Sequence, residues 1–185
     1  SSWAVSGAGD VNGDGYDDFI IGAYGDDDGG SGAGQTYLIL GKASGWSMDT
    51  DLSDADASFW GEDAGDDSGF AVSGAGDVNG DGYDDFIIGA PDNDNGGSGG
   101  GQTYLILGRA SGWSMDTDLS DADASFLGED VNDLCGGSGS GAGDGHGDCY
   151  DDFLLGADAN EDGVSNPGPV LGVLCMWWWE EGACV

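Results

Sequence analysis

The chain is 185 residues long, within the range of one domain, and sets 37 Asp and Glu against two basic residues, Lys42 and Arg109, for a net charge of −35. With so few cations it cannot neutralise phosphates, which excludes nucleic acid as a direct partner and disfavours an anionic membrane surface. No apolar run approaches transmembrane length, so no membrane insertion is expected.

Charge of this size opposes compaction by self-repulsion, and a cation bound to the folded state would relieve it by mass action. High charge and 40 glycines are also a disorder signature, but the apolar runs Phe19 to Ile21 and Tyr37 to Leu40 return at fixed places. The sequence starts at Ser1 without a signal peptide and reads as a fragment or a mature segment. All four cysteines (Cys135, Cys149, Cys175, Cys184) fall in the last third. Their even number permits disulfides in an oxidising compartment, and no metal-thiolate spacing is present.

In chain order, the first expected strand is Trp3 to Gly7, alternating large and small residues. The stretch from Asp10 to Asp18, Asp-Val-Asn-Gly-Asp-Gly-Tyr-Asp-Asp, follows. Oxygen side chains stand at its first, third, fifth and ninth positions (Asp10, Asn12, Asp14, Asp18), and Tyr16 at the seventh can offer a main-chain carbonyl. Hard divalent cations take six to eight oxygens, and Ca2+ tolerates the irregular geometry of a loop. Gly13 and Gly15 allow the tight bend. An EF-hand would need Glu at position twelve, where Ile21 stands; a bend without an ion would need only glycine-tolerant residues, not four alternating oxygens.

A second strand, Asp18 to Ala23, is a continuous apolar run suited to burial. An Asp/Gly/Ser loop over Tyr24 to Ala33 leads to a third strand, Gly34 to Gly41, rich in strand formers. The connection Lys42 to Ala57 carries Trp46 and Met48, which are expected to tuck onto the blade edge. A short fourth strand is Ser58 to Gly61. No segment shows a helical period.

The unit then repeats at a spacing of 67 residues. The second copy spans 68–134 and brings back the loop unchanged, with Asp77, Asn79, Asp81, Tyr83 and Asp85 as its candidate ligands. A third, degraded copy spans 135–174. It keeps Asp144, Asp148 and Asp152 but puts His146 in place of Asn and Cys149 in place of Gly, so its calcium site is expected to be weak or lost. Its third strand, Pro169 to Leu174, is weakened by Pro169 and Gly172. The stretch 175–185, with Trp177, Trp178 and Trp179, has no counterpart upstream and reads as a divergent tail. Four short strands per repeat describe an all-β fold, a partial β-propeller with two full four-stranded blades and a third, degraded one. Such blades must stack to bury both faces.

Phe70-Ala-Val-Ser-Gly-Ala-Gly76, the Asp77 to Asp85 loop and Phe86-Ile-Ile-Gly-Ala-Pro91 together resemble the FG-GAP repeat of integrin α-subunit propellers and many secreted bacterial proteins. Tyr24 stands where that family prefers Pro. The resemblance implies a seven-bladed propeller with calcium held in the hairpin between a blade's first two strands. Under three blades are present, so further blades of the same protein are expected. The leading functional expectation is a non-enzymatic, calcium-binding module of a secreted or cell-surface protein, serving adhesion or scaffolding and recognising a protein or glycan through the loops 24–33 and 91–100. The alternatives are an accessory propeller of a secreted hydrolase, or an acidic stalk of tandem calcium loops similar to thrombospondin type-3 or dockerin repeats. No nucleophile elbow or zinc motif is visible, and the single His and abundant Asp pairs carry no glycosidase signal.

Overall fold

The computed structural model describes residues 4–157 and 172–173 of the chain. β1 (Ala4–Gly9), β2 (Asp18–Ala23), β3 (Gln35–Ile39) and β4 (Ala57–Trp60) form the first blade as an antiparallel meander. β5 (Ala71–Gly76), β6 (Asp85–Ala90) and β7 (Gln102–Ile106) begin the second blade. After them come β8 (Thr117–Asp118) and β9 (Ala124–Leu127), of which β9 closes the second sheet. β10 (Cys135–Gly143), β11 (Asp152–Ala157) and β12 (Gly172–Val173) form the third. The molecule is an all-β partial propeller. Its short helical turns, Leu52–Asp54 and Leu119–Asp121, are each N-capped by an aspartate, Asp51 and Asp118.

The expected strands 18–23, 34–41 and 58–61 lie where the sequence puts them, shifted by a residue or two at the ends. The first runs two residues further, to Gly9, and Trp3 lies outside the described residues. Of the third copy's last strand only Gly172 and Val173 are described, paired with Ala157 and Gly156. The stretch 175–185, with its tryptophans, Cys175 and Cys184, also lies outside them.

The blades stack through their first strands. β1 lies against β5, and β5 against β10. Glycine permits the approach: a Cβ on Gly74 would stand 2.7 Å from the carbonyl oxygen of Gly7, and one on Gly141 would stand 2.7 Å from that of Gly74. Further out, the back of blade 1 (Ile20, Leu38, Phe59) and the front of blade 2 (Phe86, Ile88, Tyr104) merge into one core. A smaller core under Ile87, Leu105, Phe153 and Leu155 joins blades 2 and 3. β6 is therefore buried along its whole length, whereas β2, with no blade in front of it among the described residues, leaves Phe19 36% exposed.

The connections between third and fourth strands behave differently from expectation. Met48 is 90% exposed, and Trp46, 54% exposed, touches its own blade at the edge, its ring centre 6.3 Å from that of Phe19. Their counterparts Trp113 and Met115 are packed, Trp113 between Phe86 of its own blade and Phe59 of the preceding one, and Met115 beside Tyr37 and Ala55 of the preceding blade. The same connection supplies β8, which pairs in parallel with β4 and gives blade 1 a fifth strand. An edge strand has unpaired backbone groups to offer, and the second repeat uses those of the first.

Candidate metal centre

Each bend between a blade's first and second strand is an interlocked set of oxygen side chains and main-chain N–H groups. In the first, Asp10 accepts from the N–H of Asp14 at 3.0 Å and of Gly15 at 2.8 Å. Asn12 Oδ1 accepts from Asp14 N at 2.8 Å, and Asp14 Oδ1 from Tyr16 N at 3.0 Å. In the second, Asp77 accepts from Asp81 N and Gly82 N, Asn79 from Asp81 N, and Asp81 from Tyr83 N. Gly13 sits at φ 73°, in the left-handed region where a side chain is strained.

The last aspartate of each loop does a different job. Asp18 is 2% exposed and accepts from Val11 N at 2.9 Å and Gly41 N at 2.6 Å. Asp85 is fully buried and accepts from Val78 N and Gly108 N. Each thus ties the bend to the end of its blade's third strand. Burial, opposed by these hydrogen bonds, raises the carboxyl of Asp18, and the charges of Asp14 and Asp10 add to the rise. The same causes push Asp85 up to about 6, with Asp81 and Asp77 as the neighbouring charges.

The donor set fits a hard divalent cation. Carboxylate and amide oxygens alternate around a glycine bend, and an accepted hydrogen bond uses one lone pair of a carboxylate oxygen and leaves others. The residues that would hold the ion are Asp10, Asn12, Asp14, Asp18 and the Tyr16 carbonyl, then Asp77, Asn79, Asp81, Asp85 and the Tyr83 carbonyl. The chain has no cation of its own to spare for them. Its two basic side chains lie over tryptophan rings, Lys42 Nζ 4.8 Å from the Trp46 ring centre and the Arg109 guanidinium 4.6 Å from that of Trp113.

In the third loop, Asp144 accepts from Gly147, Asp148 and Cys149 N–H groups, which hold its carboxyl low. Asp144, His146 and Asp152 bring ligand atoms within 4.8 Å of one another. His146 bridges two of the retained carboxylates, its Nδ1 2.9 Å from Asp152 and its Nε2 2.9 Å from Asp148. These contacts, that with Asp152 first, raise its pKa. At Asp148 the imidazole stands where Asn12 and Asn79 donate Nδ2 to Asp14 (3.1 Å) and Asp81 (2.9 Å) in the other two loops, and through Nδ1 it engages Asp152 as well. Cys149 is disulfide-bonded.

Sequence reasoning missed the residue just before the closing aspartate. Asp84 Oδ2 accepts from Asp10 N at 2.8 Å, and Asp84 N donates back to Asp10 O at 3.3 Å. Asp151 does the same for Asp77, at 3.1 and 3.0 Å. The neighbouring tyrosine closes over the same loop: a Cβ on Gly13 would meet the Tyr83 ring at 2.6 Å, and one on Gly80 the Tyr150 ring at 2.4 Å. Each bend is thus clamped by the next. The doubled aspartate, Asp17-Asp18, Asp84-Asp85 and Asp151-Asp152, is the signal that was there to read.

Stacked four-stranded blades with an aspartate-rich bend between the first two strands define an integrin-α-like β-propeller module. The FG-GAP repeat family matches residues 2–39 and 68–106, so the chain carries two FG-GAP repeats. No curated protein matches it at a significant level.

Proposed function

We propose that the chain is a calcium-binding propeller module of a secreted or cell-surface protein, acting in adhesion, protein interaction or scaffolding rather than catalysis. The observation that carries this reading is the pair of buried closing aspartates, Asp18 and Asp85, each beside two further carboxylates, in a chain whose only two Lys or Arg side chains lie over tryptophans. Buried carboxylates are stabilised by hydrogen bonds, pairing or metal coordination; these two accept main-chain N–H bonds, and no Lys or Arg is placed to supply a compensating charge. Bound Ca2+ would supply it, and would stiffen the bend that fixes β1 against β2 and β5 against β6.

The clamps extend the effect across the joint. A stiffened Asp10 loop presents its N–H and carbonyl to Asp84, so calcium in blade 1 supports the seating of blade 2. The variable loops 24–33 and 91–100 would then be held in place as recognition surface. Among the described residues no helix is long and apolar enough to cross a membrane. The third loop would bind calcium weakly or not at all, because His146 already engages Asp148 and Asp152.

Calorimetric titration with Ca2+ tests the reading. Two dominant sites are expected in the parent chain and none in an Asp14→Ala, Asp81→Ala variant. Equal heat from the two would reject the ligand assignment.

A further inference from the structure

The two complete bends are joined by two hydrogen-bonded routes, and both pass through residues that would hold an ion. The first is the aspartate clamp. Asp84 stands between Tyr83 and Asp85, two candidate ligands of the second loop. It grips Asp10, the first candidate ligand of the other loop, at both main-chain groups: Asp84 Oδ2 accepts from Asp10 N at 2.8 Å, and Asp84 N donates to Asp10 O at 3.3 Å. The Tyr83 ring lies over Gly13 of the same loop, where an added Cβ would meet it at 2.6 Å.

The second route links the two closing aspartates. Asp18 Oδ2 accepts from Val11 N at 2.9 Å, and Val11 O accepts from Arg109 N at 2.8 Å. The residue before Arg109 returns to the second loop, Gly108 N donating to Asp85 Oδ1 at 2.7 Å. Asp18 is 2% exposed, and Val11 and Asp85 are fully buried. Glycine at 108 permits this convergence, since a Cβ there would stand 2.6 Å from Cβ of Tyr83 and 3.0 Å from Val11 O. Buried bonds of this kind are costly to leave unmade, so neither bend can shift without taking the other with it. Every link is a main-chain group or a short aspartate side chain, with no long, flexible arm to absorb the movement.

An ion in the second loop would draw on the Tyr83 carbonyl and on Asp85. Asp84, held from both sides, is fixed with them. Through Asp84 the main chain of Asp10 is fixed, and through Gly108 and Arg109 that of Val11. The first loop is then ordered before its own ion arrives, and a site ordered in advance loses less entropy on binding.

We propose that the calcium sites of the first and second loops fill cooperatively, each raising the affinity of the other, with Asp84 and the Gly108-Arg109 pair as positioning residues. This coupling rests on the assignment of calcium to the two bends. Asp17, the counterpart of Asp84, is exposed, so the coupling belongs to the joint between blades and not to a repeat by itself. Linkage requires one factor in both directions, and couplings of this type are at least about fivefold. Charge works the other way: each ion neutralises part of the field of a chain of charge −35 that attracts the next. At about 0.15 M salt that field is screened within about 8 Å, whereas the buried hydrogen bonds persist. Cooperativity should therefore be steeper at physiological salt than at low salt.

The test is calorimetric titration of the whole chain with Ca2+ at about 0.15 M salt, as parent, as Asp14→Ala with the first loop disabled, and as Asp81→Ala with the second disabled. The surviving site of each variant should bind more weakly than the second ion taken up by the parent, by the same factor of about five or more. Asp84→Ala, made in the parent and in both variants, should shrink that factor, and Asp84→Asn, which keeps an acceptor oxygen, should restore most of it. Hydrogen exchange reads the coupling with no ion in the first loop: in Asp14→Ala, calcium should slow exchange at the Asp10 and Arg109 amides. Calcium uptake at two sites that fill independently, with each variant's surviving site as tight as in the parent, overturns the coupling and leaves the calcium assignment standing. Unequal factors in the two variants overturn it as well, because damage from a substitution is not reciprocal. A factor unchanged by Asp84→Ala removes Asp84 from the route and overturns the proposal as stated. No calcium uptake by the parent overturns the coupling together with the assignment on which it rests.

Discussion

Asp84 and Asp17 occupy the same place in two successive repeats, and the fold gives only one of them a partner. Asp84 Oδ2 accepts the partly buried N–H of Asp10 at 2.8 Å, while Asp17 is exposed, with no blade in front of it among the described residues. Replacing Asp84 by Ala removes a charged acceptor and strands that N–H. A hydrogen bond to a charged group contributes about 1.5–3 kcal/mol, and an unsatisfied buried donor costs a similar amount. The main-chain bond from Asp84 N to Asp10 O survives, which argues for the lower half of the range, about 1.5–2 kcal/mol. For a chain of this length that is a fall of roughly 3–8 °C in the unfolding midpoint. Asp17→Ala is a surface change and should stay within about 0.5 kcal/mol. Urea titration of both variants and the parent, followed by circular dichroism and run with and without Ca2+, measures the difference. Because Asp84 holds the main chain of Asp10, Asp84→Ala should also weaken calcium binding at the first loop. Equal losses for Asp17→Ala and Asp84→Ala would refute the inter-blade clamp.

The paired phenylalanines make a parallel case. Phe86 is fully buried and Phe19 is 36% exposed, so Phe86→Ala should cost about 3–5 kcal/mol and Phe19→Ala far less, read from denaturation midpoints. At alkaline pH, burial followed by the charges of Asp26 and Asp28 raises Tyr37 to about 12, and burial raises Tyr104 further. The folded chain therefore keeps phenolic protons that the unfolded chain releases above the ordinary tyrosine pKa of 10.0. Stability is fully present below that value and falls as pH climbs through about 12. Tyrosinate absorbance should show late titration of these phenols together with loss of the β spectrum, and Tyr37→Phe should flatten the fall; unfolding that is indifferent to pH across this window would contradict their burial.

Local patterns carried much of the architecture. β2 and β6 were legible because Phe-Ile-Ile-Gly-Ala is an apolar run between an oxygen-rich bend and a glycine loop, and such runs need only their own residues to be recognised. The bend was legible for a related reason: the hydrogen bonds within it join residues two to seven positions apart, as from Asp14 N to Asn12 and from Val11 N to Asp18. Asp84 as a clamp, and Trp113 as a wedge between blades, were not, because each has a partner in the neighbouring repeat. His146 was noticed as a departure, but its placement between Asp148 and Asp152 needed the folded loop.

The residues alone thus settled the repeat, the strands and the oxygen-lined bends, since each arises from interactions within a few positions of the chain. Tertiary structure decided which of two identical residues does anything beyond its own repeat. Trp46 and Trp113, and Asp17 and Asp84, have the same immediate neighbours in the chain and opposite surroundings in space. Burial and inter-blade hydrogen bonds come from what is stacked against a residue, and that is a property of the assembled blades.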